Sequence, residues 1–182
     1  MKPVSLSHVG IFAADVEKMV GFYSRFFGFL ISDRGITSSG NEIVFMTSDP
    51  GEHHQFVIAS GRPKDVPFNV INQISFRVDS LATLRKLYGR LADEKIELVG
   101  RDGPLCHGNA LSVYFHDPEG NRIELLIDTP WHVSQPCGMP VDLSLSDEAL
   151  WASLEARVRE LPGFKPRAEW EQEMTRKLAG IH

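Results

Sequence analysis

Glu124 is the carboxylate least at home in its surroundings. It stands in Arg122-Ile123-Glu124-Leu125-Leu126-Ile127, an otherwise apolar run with strand character. Alternation along a strand sets it on one face with Arg122 and Leu126. Removing an unpaired carboxylate from water costs several kcal/mol, so a buried one needs a cation or several donors. A metal ion is one solution; an edge-strand position in water, or a pair with Arg122, is another. His8 lies on the first strand-like segment and Gln73 stands 65 residues later, on a second. His8, Gln73 and Glu124 would offer a metal one imidazole, one amide oxygen and one carboxylate, a set suited to iron, manganese, nickel or zinc. Read singly, His8 is a polar residue near a strand start and Gln73 a hydrogen-bonding core amide.

Other candidates are the adjacent His53 and His54, His107 in Cys106-His107-Gly108-Asn109, His116, and His132. Tyr114 shares a strand face with Ser112 and His116. Each also reads as a loop or packing residue. Other chemistries are not indicated. There is no G-x-x-x-x-G-K-[ST] phosphate loop and no Gly-x-Ser-x-Gly elbow. Cys106 and Cys137 are too few for a disulfide framework and lack CxxC spacing.

The elements that must position these residues repeat. A strand at Leu6–Ala13 leads to Asp15 as N-cap and to a helix with Val16, Met19, Val20, Tyr23 and Phe27 at helical spacing, stopped at Gly28. Strand-like runs at Glu42–Thr47 and Gln55–Ala59 flank the turn Ser48-Asp49-Pro50-Gly51. The order then recurs. Gln73–Val78 is a strand, Ser80 caps a helix carrying Leu81, Leu84, Leu87, Tyr88 and Leu91, and Ile96–Val99 is a short strand. Leu111–Phe115 and Arg122–Ile127 are joined by Asp117-Pro118-Glu119-Gly120-Asn121. Tyr23 and Tyr88, and Met19 and Leu84, are both 65 apart, whereas the two Asp-Pro turns are 68 apart. The reading is two βαβββ modules, at about 4–61 and 70–128, within a domain spanning 1–131. A pseudo-twofold relating them would face His8 and Gln73 across one cleft. Residues 132–182 form an extension: a proline-rich connection, a helix opened by Ser146 and ended by Pro162-Gly163, and a second helix from near Pro166. No chemistry is expected in it; it reads as an appendage packed on the surface or in a dimer.

Composition narrows the partners. The chain has 182 residues, 19 Lys+Arg against 24 Asp+Glu, a net charge of -5 and 42% hydrophobic residues. That suits one folded domain and argues against nucleic acid as the main partner. No apolar run reaches the roughly 18 residues of a membrane span, and the N-terminal segment lacks a secretion-signal pattern. A cytoplasmic protein is expected, and apolar tail faces with Trp151 and Trp170 suit a homodimer.

The paired modules, the first-strand His8 and Tyr114-Phe115-His116-Asp117-Pro118-Glu119-Gly120-Asn121-Arg122-Ile123-Glu124 resemble the vicinal oxygen chelate superfamily over about residues 5–131. That superfamily includes glyoxalases, fosfomycin- and bleomycin-resistance proteins and type I extradiol dioxygenases. The resemblance implies an α+β fold: two βαβββ modules forming a paired-sheet cleft, here with a C-terminal helical extension. The extradiol dioxygenases look most similar. Their pattern implies His8, the position of Gln73, and Glu124 as metal ligands. It also implies His54 as acid–base residue, with His107 and Tyr114 as hydrogen-bond donors at the site. The departure is Gln73, where the family carries a second His ligand. The implied activity is ring cleavage of a small aromatic diol with O2 at Fe(II), with Mn(II), Ni(II), Zn(II) or a metal-free pocket as alternatives. Glyoxalase I needs a further ligand at the first-module mate of Glu124. The turn offset places Phe56 there, which cannot ligate; Gln55 is the nearest alternative. A non-catalytic binder of the resistance type, or a metal-dependent glyoxalase- or isomerase-like enzyme, is the competing expectation.

Overall fold

The computed structural model describes residues 4–100 and 103–180. Met1–Pro3, the start of the segment without a secretion-signal pattern, and His182 lie outside the described residues. The chain divides into two compact units. One runs through Asn72 and includes Asp117–Asn121; the other comprises Gln73–His116 and the chain from Arg122 onward.

The first unit is a four-stranded sheet with one helix. β1 (Val9–Ala13) leads to α1 (Val16–Phe27), followed by β2 (Leu30–Ile36), β3 (Glu42–Thr47) and β4 (Phe56–Ser60). The strand order is β1-β4-β3-β2, with β1 and β4 parallel. The expected helix signals operate as read. The Asp15 carboxylate accepts from Lys18 N at 2.9 Å, and Gly28 closes α1 in the left-handed region at φ 77°. Val16, Met19, Val20, Phe22, Tyr23 and Phe26 are buried, and the Tyr23 and Phe56 rings lie 4.3 Å apart.

The Asp-Pro-Glu-Gly-Asn turn belongs to this unit and is a structural keystone. Asp117 is 4% exposed and accepts from Tyr23 Oη at 2.9 Å, Asn121 Nδ2 at 2.7 Å and the amides of Glu119 and Asn121 at 3.0 and 2.9 Å. Burial, then the Asp117 charge, raises the Tyr23 phenol far above its ordinary value, so it remains a donor. Glu119 accepts the Ala14 and Asp15 amides, both at 2.8 Å, placing negative charge where α1 begins.

The second unit starts with β5 (Ile74–Arg77), α2 (Leu81–Asp93), β6 (Leu105–Cys106), β7 (Ala110–His116) and β8 (Arg122–Asp128). It continues through β9 (Trp131–His132), β10 (Met139–Pro140), α3 (Asp147–Val158), β11 (Lys165–Pro166) and α4 (Arg167–Leu178). Its main sheet runs β10-β6-β7-β8-β5, and β11 pairs with β9. Ser80 caps α2 through Thr83 N, and Ser146 caps α3 through Ala149 N.

Three expectations need correction. Ile96–Val99 is no strand; it makes a single bridge, Leu98 to Phe115. His8 and Gln73 each stand one residue before their strands, not within them. The mate of Glu124 is Val57 rather than Phe56, because Val9 pairs with Phe56 where Ile74 pairs with Ile123. The consequence for glyoxalase I is unchanged, since valine cannot ligate either.

Candidate active site

The β7–β8 hairpin builds the reactive end of a cavity of about 470 Å³ in the second unit. Tyr114 and Glu124 are cross-strand partners in this antiparallel pair, so their side chains share a face. Glu124 is 5% exposed, as an apolar strand demands. Its carboxylate accepts from Tyr114 Oη at 2.5 Å, from Gln73 Nε2 at 2.7 Å and from Ser75 Oγ. Ser75 is the register partner of Glu124 on β5, and Gln73 lies two residues before it on the same face. Arg122 does not pair with Glu124; its guanidinium lies over the Tyr114 ring, 4.3 Å from the centroid.

Burial, then the hydrogen bond and charge of Glu124, pushes the Tyr114 phenol up to about 12. Tyr114 is therefore a proton donor across the physiological range. Its Oη also lies 3.0 Å from His107 Nε2, and His107 Nδ1 faces the Cys137 carbonyl at 2.5 Å. A nitrogen facing a carbonyl must carry the hydrogen, so Nε2 is the acceptor in this tautomer; Tyr114 has one hydroxyl proton, which it donates either to Glu124 or to His107 Nε2 at any moment. The result is a continuous path from the Cys137 carbonyl through His107 and Tyr114 to Glu124.

The turn holding His107 is tightly determined. Gln135 Nε2 donates to His107 O at 2.7 Å. Gly108 has φ 77°, and a Cβ there would meet Val133 Cγ2 at 2.2 Å. Gly108→Ala is expected to cost about 2 kcal/mol or more in unfolding free energy, from positive-φ strain and overpacking together. Chemical denaturation checks this, and a loss below about 0.5 kcal/mol would contradict it.

His54 and His8 lie in the first unit, with ring centroids 4.3 Å apart, and His54 Nδ1 lies 2.9 Å from His53 Nδ1. Desolvation, then His8 and His53, lowers the His54 imidazole below its ordinary value, with Glu52 opposing. The six expected residues thus fall into two groups. Gln73, His107, Tyr114 and Glu124 meet in the second unit, and His8 and His54 meet in the first. Among the described residues, no three His, Cys, Asp or Glu side chains cluster as a metal site.

Sequence reasoning missed much of the cavity. Arg77, Asp128, Arg167 and Trp170 line it as well, together with His132, one of the further candidate histidines. The extension expected to carry no chemistry therefore supplies part of the wall. One signal was present: Glu124, Leu126 and Asp128 alternate onto one strand face, so whatever pairs with Asp128 must border the same space.

The profile of the "Glyoxalase/Bleomycin resistance protein/Dioxygenase superfamily" matches residues 5–125. A biphenyl-2,3-diol 1,2-dioxygenase (number 2) of Rhodococcus globerulus is 26% identical over 163 residues, 80% of this chain and 81% of that protein. A second, biphenyl-2,3-diol 1,2-dioxygenase 3 of the same organism, is 35% identical over 89 residues, 46% of this chain and 45% of that protein. The crystal structure of a glyoxylase/bleomycin resistance protein/dioxygenase domain from Frankia sp. EAN1pec superposes with TM-score 0.58 at 20% identity, covering 69% of this chain and 93% of that one. With more than half of its length matched and the fold shared, the chain belongs to the glyoxalase/bleomycin resistance/dioxygenase superfamily.

Proposed function

We propose that the protein is an extradiol-type dioxygenase that opens the ring of a catecholic aromatic beside its diol, placing both atoms of O2 in the product. The observation that carries this reading is the His107–Tyr114–Glu124 chain lining one cavity. It offers a proton path and hydrogen-bond donors where a diol's oxygens would lie.

The donor set fits a divalent cation. Glu124 is buried, yet its three hydrogen-bond donors are all neutral. A carboxylate so placed has an uncompensated charge that a cation satisfies. Gln73 stands beside it, and rotation of its amide turns an oxygen toward the same point. Glu124 and Gln73 are the assigned donors, with His8 assigned by the family resemblance alone, and Fe(II) is the metal of choice. Such a metal, when bound, acidifies a chelated phenol and brings diol and oxygen together. Tyr114 would turn its single proton from Glu124 to a substrate oxygen when the substrate is bound. His107 passes or receives a proton through Nε2, its ring held by Cys137. His54 is the proposed base, and its lowered affinity for protons keeps it neutral.

A second reading rests on the same contacts. Tyr114, Gln73 and Ser75 saturate Glu124 without any metal, as a ligand-sequestering pocket would require. Oxygen uptake by anaerobically purified protein, with and without added Fe(II), against mono- and bicyclic catechols separates the two. Iron-dependent uptake with a yellow ring-opened product is expected. The acid limb of kcat/KM should lie below about pH 6.5, because a base with lowered pKa stays unprotonated to lower pH. No uptake across the panel, with no metal retained, overturns the dioxygenase reading in favour of the binding one.

A further inference from the structure

The cavity is longer than a diol needs. Glu124, Leu126 and Asp128 line it in succession along one face of β8. Four residue steps at about 3.3 Å each make this floor roughly 13 Å long. A single ring with its two oxygens at Glu124 leaves the Asp128 end unfilled.

Apart from Arg77, that far end is built by residues beyond the superfamily match, which stops at residue 125. Asp128 accepts from Arg77 at 2.9 Å and from Arg167 at 2.8 Å. The Arg167 amide donates to the Pro130 carbonyl at 2.9 Å, fixing the start of α4. One turn along the same helical face comes Trp170, whose ring stacks on His132 with centroids 5.3 Å apart and planes 16° apart. No residue of α4 is buried, so Trp170 is not a core side chain. Its indole borders the cavity instead.

The chemistry of this end selects the ligand. Both guanidinium groups are already engaged, Arg77 with Asp128, and Arg167 with Asp128 and with Glu171 at 2.8 Å. No cation is held ready there for a carboxylate tail. The remaining surface offered by the lining includes the stacked Trp170 and His132 rings and Leu126, which favours a flat, uncharged ring.

We propose that Trp170, supported by His132, forms a subsite for the distal aromatic ring of an extended substrate, so that the C-terminal helix makes the protein prefer bicyclic over monocyclic diols. The inference rests on the proposed reading of Glu124 and Tyr114 as the diol end.

The test is calorimetric titration of the full-length, Fe(II)-loaded protein under anaerobic conditions, with biphenyl-2,3-diol and catechol as probes. The wild type is expected to bind the bicyclic diol at least tenfold more tightly. Trp170→Ala should weaken biphenyl-2,3-diol about tenfold and leave catechol within twofold, the size of one lost aromatic contact. Trp170→Phe should recover most of the loss, and it serves as the readout should the alanine variant fail to fold by circular dichroism. Equal weakening of both probes, or no wild-type preference, overturns the subsite. The two readings fail separately. Preferential binding of the bicyclic diol without oxygen uptake removes ring cleavage and keeps the subsite. Oxygen uptake with equal affinity for both diols does the reverse.

Discussion

Glu124→Ala is expected to lower the Fe(II)-dependent rate about a thousandfold, with bound metal falling to background. The carboxylate is the only anionic donor among the residues gathered at the diol end, and loss of a cation's stabilisation of developing charge amounts to several kcal/mol, at about 1.4 kcal/mol per decade of rate. The fold should survive. Of the groups left without an acceptor, Tyr114 Oη borders the cavity, Ser75 is an exposed residue and Gln73 a half-buried one, so each can turn to water. Metal content by elemental analysis, initial rates and a thermal melt together check this. Glu124→Gln keeps the side chain's shape and one acceptor oxygen while removing the charge, so it should melt near wild type and still lose the metal. Retention of both metal and rate by either variant would remove Glu124 from the site.

The largest stability effect belongs to a residue without a catalytic role. Asp117→Ala should destabilise the protein by about 4 kcal/mol. It deletes the acceptor for the Tyr23 hydroxyl, two backbone amides and the Asn121 side chain at a position 4% exposed. Each buried donor left unsatisfied costs about 1–3 kcal/mol, and partial relaxation of the turn keeps the total below the sum. For a chain of this size the melting temperature should drop by roughly 10 °C. Tyr23→Phe, which removes one of the four donors, should cost about 1 kcal/mol. A loss below 1 kcal/mol for Asp117→Ala would show that the turn reorganises freely and that its bonds are not what holds it.

Where one residue type had one physical job, the sequence was sufficient. Asp15, Ser80 and Ser146 cap because a short polar side chain ahead of an amphipathic run has a free amide to accept from. Alternation placed Tyr114 and Glu124 each on a strand face, and the observed β7–β8 register is what pairs them. β2 was missed because its sides carry no buried pattern: Leu30, Ile31 and Ile36 are exposed and Asp33-Arg34-Gly35 sit in its middle. Periodicity cannot report a strand that buries almost nothing. β6 and β10 are two residues each, too short for any period, and they are defined by pairing alone, β10 with β6 and β6 with β7. The mate of Glu124 was misplaced by one residue because an offset taken between turns carries the loops' length changes, whereas strand pairing does not. The cavity's far wall lay beyond reach for another reason. Nothing local in Arg167 or Trp170 indicates that α4 returns to border β8; that follows from the β9–β11 pairing, a long-range contact with no local signature.

The attachment of α4 has a consequence of its own. Without buried side chains, the helix is fastened in part by charge: Arg167 to Asp128, and Lys165 to Glu173 at 2.6 Å. Partly exposed ion pairs weaken as dissolved salt shortens the Debye length, from about 8 Å at physiological concentration to about 3 Å at 1 M. The β7–β8 hairpin is held by backbone hydrogen bonds and apolar packing, which respond little to the same change. The floor of the cavity thus responds little to the electrolyte, while part of the grip on its wall weakens as the ionic strength of the surrounding solution rises.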